Sequence, residues 1–299
     1  MQIEAFEALA KIERIYHKVP VNMELYIKRD DAIDPLISGN KWWKLKHSFL
    51  DARSKNKKLL VSFGGAYSNH LIALSASAAK FGMKSFAFIR SDEGIPQNIC
   101  TSICTSMGME LQAVSRNDYK NKPALFEKYF AQNSDAYYID EGGRSTLGAL
   151  GMQENMSMLQ ETYDHIFLAA GTGCSTAGVL NYVLEKNLHT IVHAVVVHNG
   201  LEEVKADVEA LTHRPTNQIQ FHTTQQFGRY GKHTTELVNF CKDFQQGTGV
   251  MLDLVYTAKA MYVLYEQMAE LENSKILFLH TGGLWGNVGK ADAFFSESL

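Results

Sequence analysis

Five prolines and four cysteines are few for a chain of 299 residues. With so little proline and no Gly/Ser-rich tract, the sequence offers no linker between independent modules. The cysteines Cys100, Cys104, Cys174 and Cys241 lack the paired Cys-x-x-Cys spacing with partner histidines that a structural zinc needs, so no metal site is expected. Cys100 and Cys104 stand four apart, on one face of a helix, where they pack as small apolar groups. Reduced thiols and a cytoplasmic setting are the expectation. An excess of one charge is also missing. Twenty-nine basic and 32 acidic residues give a formal charge of -3, which provides no broad footing for nucleic acid. No apolar run reaches the roughly 20 residues that span a bilayer. The N-terminal MQIEAFEALAKIERIYHK mixes acids into its apolar residues and has no continuous signal-peptide core, so no membrane partner is expected.

What is present is a 45% hydrophobic composition, enough for one large domain or two intimately packed ones. From residue 23 onward, short β-rich runs alternate with longer amphipathic stretches, which predicts an α/β protein of parallel strands covered by helices. Strands are expected over 23–28, 59–63, 85–89, 136–139, 166–170, 190–197, 219–222 and 276–280. Several of these are continuously apolar, as strands buried on both faces should be. Helices are expected over 41–54, 69–80, 97–107, 123–132, 176–185, 201–211, 235–244 and 258–271. The glycine-dense stretch 141–151 reads as a turn that crosses between two halves.

Three glycine turns follow expected strands and open expected helices, where α/β proteins collect their ligands. In Ala169-Ala-Gly-Thr-Gly-Cys-Ser-Thr-Ala-Gly178, small residues let backbone N–H groups approach an anion, and Thr172 and Ser175 add hydroxyls. No Gly-Lys-Ser/Thr ends it, so it is not a Walker motif, and a tight turn without ligand is an equal reading. In Ser62-Phe-Gly-Gly-Ala-Tyr-Ser-Asn-His70, Ser68 or Asn69 reads first as a helix N-cap. In Ile37-Ser-Gly-Asn-Lys-Trp-Trp-Lys-Leu-Lys46, Lys41 opposes the helix dipole. Packed under apolar groups it would have the depressed pKa that a Schiff-base lysine requires, whereas most helix lysines are solvated. Tyr230 and Tyr256 each sit where a turn meets a regular element, and alone each reads as a core tyrosine.

Six segments in order resemble the family of pyridoxal-phosphate enzymes that contains 1-aminocyclopropane-1-carboxylate deaminase and D-cysteine desulfhydrase. They are Ile27-Lys-Arg-Asp-Asp31, Ser38-Gly-Asn-Lys-Trp-Trp-Lys-Leu45, Gly64-Gly-Ala-Tyr-Ser-Asn-His70, Leu147-Gly-Ala-Leu-Gly151, Leu252-Asp-Leu-Val-Tyr-Thr-Ala-Lys-Ala-Met261 and His280-Thr-Gly-Gly283. The resemblance implies a tryptophan-synthase-β-like fold (fold type II) of two three-layer α/β domains. The larger comprises 1–45 and 145–299, and the smaller, 46–144, is inserted into it. It also implies that Lys41 holds pyridoxal 5'-phosphate covalently. Lys44 and the turn Thr172, Gly173, Cys174 and Ser175 would take the phosphate, and Asn69 would lie near the ring hydroxyl. Ser68, Asn69 and His70 would meet a small amino-acid substrate, with Ser68 near its carboxylate or moving a proton. Tyr256 would stack near the ring, Tyr230 would be a second active-site tyrosine, and the molecule would be a homodimer.

Departures from the pattern shape the functional expectation. Thr257 stands where the deaminases have glutamate, and a neutral hydroxyl from Thr257 or Thr281 keeps a pyridine nitrogen less protonated than a carboxylate does. Expelling a good leaving group from Cβ suffers less from that loss than opening a cyclopropane. Tyr67 replaces glutamine, and Trp42 and Trp43 replace smaller or basic residues beside Lys41, which alters the expected substrate pocket. The leading expectation is therefore α,β-elimination on D-cysteine to pyruvate, sulfide and ammonia. Two alternatives stand beside it: deamination of 1-aminocyclopropane-1-carboxylate to 2-oxobutanoate, and a non-catalytic protein that binds pyridoxal phosphate or another phosphate ligand.

Overall fold

Two mainly parallel sheets organise the chain, and their inner strands are too apolar to face water. The computed structural model describes residues 7, 9–290 and 292. Positions 1–6, 8, 291 and 293–299, which include part of the stretch read for a leader and both tips of the expected larger domain, lie outside the described residues.

The first sheet contains β1 (Ile12–Ile15), β2 (Glu24–Lys28), β7 (His165–Ala170), β8 (Ile191–Val196), β9 (Ile219–Thr223) and β10 (Lys275–Leu279). Their order is β1-β2-β10-β7-β8-β9, with only β1 antiparallel to its neighbour. The second sheet is parallel throughout, in the order β5-β4-β3-β6, from β3 (Leu59–Gly64), β4 (Lys84–Arg90), β5 (Met109–Val114) and β6 (Ala136–Tyr138). All four of its strands fall in one continuous stretch of chain between β2 and β7.

The period of two along each strand gives each sheet two buried faces. On β10, Ile276 and Phe278 pack against α8 (Thr235–Thr248) and α9 (Thr257–Gln267). Leu277 and Leu279 pack the other way, against α1 (Asn40–Ser54), α5 (Thr146–Ser157), α6 (Cys174–Glu185) and α7 (Leu201–Leu211). The smaller sheet buries Leu60, Ala87 and Ile89 against α1, α2 (Asn69–Lys80) and α3 (Ile99–Ser106). Cys100 and Cys104 lie together in this layer as apolar groups. The opposite face carries Phe63, Phe88 and Leu125 of α4 (Lys122–Phe130).

Three elements differ from expectation. β1 and β5 are edge strands whose solvent sides are polar, so neither shows an apolar run. Over 141–151 the expected turn occupies only Glu141–Gly143, and α5 then begins behind the Ser145 side-chain cap. Its glycines serve contact rather than turning. A Cβ at Gly151 would lie 1.8 Å from the Trp43 carbonyl oxygen, and one at Gly178 of α6 would lie 2.4 Å from the Ala149 carbonyl oxygen. The helix α5 therefore touches α1 and α6 backbone to backbone.

Candidate functional site

Strands β3, β7 and β10 end on one side of the molecule, and a cavity of about 750 Å³ opens beyond their carboxyl ends, where open α/β sheets bind ligands. Its wall includes Lys41, Lys44, Ser68, Asn69, His70, Thr172, Gly173, Ser175, Tyr230, Tyr256 and Thr281. The structure thus brings together all the expected site residues but two. Cys174 is fully buried, with its thiol directed to the carbonyls of Gly143 and Ser145, both 3.6 Å away. Thr257 is likewise fully buried, and its hydroxyl donates to Asp253 Oδ1 at 2.8 Å. Neither side chain lines the cavity, which corrects the hydroxyl role expected of Thr257 and leaves Cys174 in the turn through its backbone alone. Of the two hydroxyls expected near a pyridine nitrogen, only that of Thr281 belongs to the wall.

Lys41 is placed by the start of α1. Gly39 precedes it with φ +67°, and a Cβ there would lie 2.0 Å from the Thr281 carbonyl oxygen, so glycine is required to bring α1 against the end of β10. The Asn40 amide N–H donates to that same oxygen at 3.2 Å, and its side chain donates to Ser175 Oγ at 2.9 Å. Residues 41 and 44, three apart, share the cavity side of α1. Trp42 and Trp43 lie on the other side, at most 1% exposed within the core. Trp42 donates to Glu7 Oε1 at 2.8 Å and stacks on Phe81. The expectation that these tryptophans alter the substrate pocket is therefore corrected, since a helix turns about 100° per residue and carries them away from it. Tyr67 does line the cavity, half-exposed at its mouth.

Burial, followed by the charge of Lys44, holds the Lys41 pKa well below the ordinary lysine value. Burial likewise lowers that of Lys44. The Lys44 ammonium reaches Thr172 Oγ1 at 3.5 Å, beside the turn that starts α6. The N-cap of α6 is Gly173, in the left-handed conformation at φ 65°, and it supplies no capping side chain. The first amides of a helix have no carbonyl partner inside it, so this end and Lys44 converge on a place suited to an anion. The turn is further held by His198, which was not anticipated. His198 Nδ1 accepts from the Gly200 amide at 2.9 Å, so Nε2 carries the proton and donates to the Gly171 carbonyl at 2.8 Å. Its signal was its place just beyond β8, at the carboxyl end of a central strand.

On the opposite wall, α2 is capped by Ser68, whose hydroxyl accepts from the Leu71 amide at 3.3 Å. His70 is 3% exposed, and burial with the charges of Lys41 and Lys44 holds its pKa well below the usual imidazole value. The Ser62 hydroxyl donates to the Ile139 carbonyl at 2.8 Å and so accepts from His70 Nε2, also at 2.8 Å. That fixes the tautomer and leaves Nδ1 as a buried acceptor without a partner among the described residues. Over the cavity, the hydroxyls of Tyr230 and Tyr256 lie 2.5 Å apart, and burial keeps both phenols protonated well into the alkaline range. The buried Asp253 carboxylate accepts from the amides of Val255 and Tyr256 at 2.9 Å and of Thr257 at 2.8 Å, which fixes Tyr256 at the start of α9.

These features fit pyridoxal phosphate. Lys44 beside an uncapped helix start suits its phosphate, and Lys41, whose pKa burial lowers at the centre, is the amine that its aldehyde needs. Among the described residues no cluster of His, Cys, Asp or Glu is arranged to hold a metal, and no helix is long and apolar enough to cross a membrane.

Comparison with known proteins agrees. The family model described as pyridoxal-phosphate dependent enzyme matches residues 4–282. The mitochondrial bifunctional D-cysteine desulfhydrase/1-aminocyclopropane-1-carboxylate deaminase of Arabidopsis thaliana is 29% identical over 310 residues, covering 93% of this chain and 77% of that protein. The D-cysteine desulfhydrase of Yersinia pestis is 27% identical over 285 residues, covering 87% and 86%. The crystal structure of an ACC deaminase homologue superposes with a TM-score of 0.79 at 27% identity, covering 99% of each chain.

Proposed function

The chain belongs to the family of pyridoxal-phosphate dependent enzymes, with the α/β fold type II, and from that premise we propose that it catalyses α,β-elimination on D-cysteine or a similar β-substituted amino acid. The products from D-cysteine and one water are pyruvate, hydrogen sulfide and ammonia. When bound, pyridoxal phosphate supplies an aldehyde for the amine and a ring that withdraws electrons from Cα.

The residues of the chain do the rest. Lys44 and the Gly171–Gly173 turn with Ser175 would hold the phosphate, and Asn69, on the same cavity wall, would meet the ring hydroxyl. Ser68, with the start of α2, orients the substrate carboxylate, and His70 lines the same wall. Lys41 Nζ, whose pKa burial lowers, takes the Cα proton. The thiolate leaves Cβ with the bonding electron pair and receives a proton from the Tyr230–Tyr256 pair, whose phenols burial keeps protonated. The 2-aminoacrylate released then hydrolyses.

The observation that carries elimination over ring opening is the composition of the wall. Glu141 is its one acidic residue among the described residues, and the position after Tyr256 is a threonine turned into Asp253. The Thr281 hydroxyl, which lines the cavity, would be the group left to meet the ring nitrogen. Loaded enzyme given D-cysteine is expected to release sulfide and pyruvate in equal amounts; turnover of another amino acid without either product would overturn the substrate assignment. The second reading, 1-aminocyclopropane-1-carboxylate deamination, is favoured by the bifunctional relative, and release of 2-oxobutanoate decides it.

The placement of all four β3–β6 strands in one continuous stretch supports 46–144 as an inserted domain within 1–45 and 145–299. Four buried, unpaired cysteines support a cytoplasmic setting, and the resemblance supports a homodimer, which light scattering tests.

A further inference from the structure

At the mouth of the cavity, away from the phosphate turn, the wall is formed by Gly231, Lys232, Gly289 and Lys290. Behind this rim stands a charge that the mechanism does not use. Lys259 lies on α9 three residues beyond Tyr256, on the same side of the helix. It is fully buried, and its side-chain nitrogen has no hydrogen-bond partner among the described residues. His233 Nδ1 is also buried and unpartnered among the described residues.

These groups act on one another. Burial lowers the His233 pKa, and the charges of Lys290, Lys259 and Lys232 lower it further. Burial lowers that of Lys259, and Lys290 adds to the effect. The carboxylate that opposes Lys259 is Asp253, whose oxygens already accept from three amides and the Thr257 hydroxyl. A buried cation persists in a fold where an opposite charge compensates it, and Lys290, which acts on both Lys259 and His233, itself lines the cavity.

We propose that this rim is an anion subsite, and that the preferred substrates are amino acids whose β-substituent carries a negative charge, such as a phosphate or sulfate ester of serine. Lys232 and Lys290 hold the anion, and Lys259 strengthens the field from behind. The proposal rests on the elimination reading and extends it. The Cα proton goes to Lys41 Nζ, the Cβ–O bond breaks with its electron pair leaving on the phosphate or sulfate, and hydrolysis gives pyruvate and ammonia. Field lines focused at such a mouth also raise the capture rate of an anionic substrate.

The test uses holoenzyme with O-phosphoserine and O-sulfoserine against the neutral comparator β-chloroalanine, in both configurations. Binding is read from the visible absorption band and turnover from pyruvate. Anionic substrates are expected to bind about tenfold more tightly than the neutral one, the equivalent of one charge-assisted hydrogen bond. Lys290→Gln and Lys232→Gln are each expected to remove most of that preference while changing β-chloroalanine binding less than twofold. Anionic preference in binding without pyruvate supports the subsite and sinks only the elimination reading. Equal binding of the two classes with normal pyruvate release overturns the subsite and leaves elimination standing. No spectral response to any of the amino acids overturns both.

Discussion

Two strand-to-helix turns face each other across Lys41, and they end in opposite ways. The turn from β3 into α2 brings its own cap, Ser68, whose hydroxyl meets the Leu71 amide. The turn from β7 into α6 is capped by Gly173, which has no side chain to offer. A helix start satisfied by its own protein has less need of an anion than one left open, so the two similar glycine turns divide the work. The open one, with Lys44 beside it, suits the phosphate, and the capped one suits an amino acid that comes and goes.

Removing what stands between the turns gives the largest effect. Lys41→Ala is expected to abolish the visible band of the bound cofactor and to cut turnover by on the order of 10³ or more, measured by absorption and pyruvate release; a retained band would reassign the anchor. The contrast itself breaks next. Lys44→Met leaves the open helix end without its cation and is expected to weaken cofactor affinity by roughly tenfold or more, the worth of a charge-assisted hydrogen bond, with α2 undisturbed. Titration of apoenzyme with pyridoxal phosphate measures it, and an unchanged dissociation constant would remove Lys44 from the phosphate site.

A third experiment sets the sheets' own buried histidines against solution pH. On the large sheet His193 bonds to His165 at 2.9 Å and to His222 at 3.0 Å, and burial pushes its pKa down from 6.5 to about 3. His70, on the cavity wall beside the small sheet, is shifted the same way. Between those two values the unfolded state binds more protons, so stability is full above pH 6.5 and falls as pH drops toward 3. His193 alone predicts a loss of about 2 kcal/mol at pH 5, to be measured by denaturant unfolding of apoenzyme; flat stability from pH 7 to 5 would contradict it. The smallest effect sharpens the role of the cap. Ser68→Ala is expected to cost about 1 kcal/mol of stability, and Ser68→Asp to restore it without restoring substrate affinity, as melting and kinetics show. Recovery of both would make Ser68 a cap and nothing more.

The alternation of apolar runs and amphipathic stretches made the α/β class and most elements legible, because strands buried on both faces leave long apolar runs in the sequence. The edge strands β1 and β5 did not show, since one side of each meets water. Glycine misled at 141–151, where its small size mattered for helix contact and not for turning. Cys174 and Thr257 were expected at the site because they sit in the right motifs, but a motif says which residues are adjacent along the chain and not which way each side chain turns. At Trp42 and Trp43 the helical period alone would have given the answer. Asn40 and His198, which brace the phosphate turn, become visible only when distant segments meet.

The contact between Gly151 and the Trp43 carbonyl bears on how this enzyme tolerates change. No ligand is needed for position 151 to matter, because any side chain there displaces the helix that carries Lys41. In a saturation library scored for activity, position 151 will behave like a catalytic position, while the rim lysines at 232 and 290 accept replacement and redirect substrate choice. Attempts to diversify the enzyme should therefore leave the interface of α1 and α5 fixed and vary the mouth.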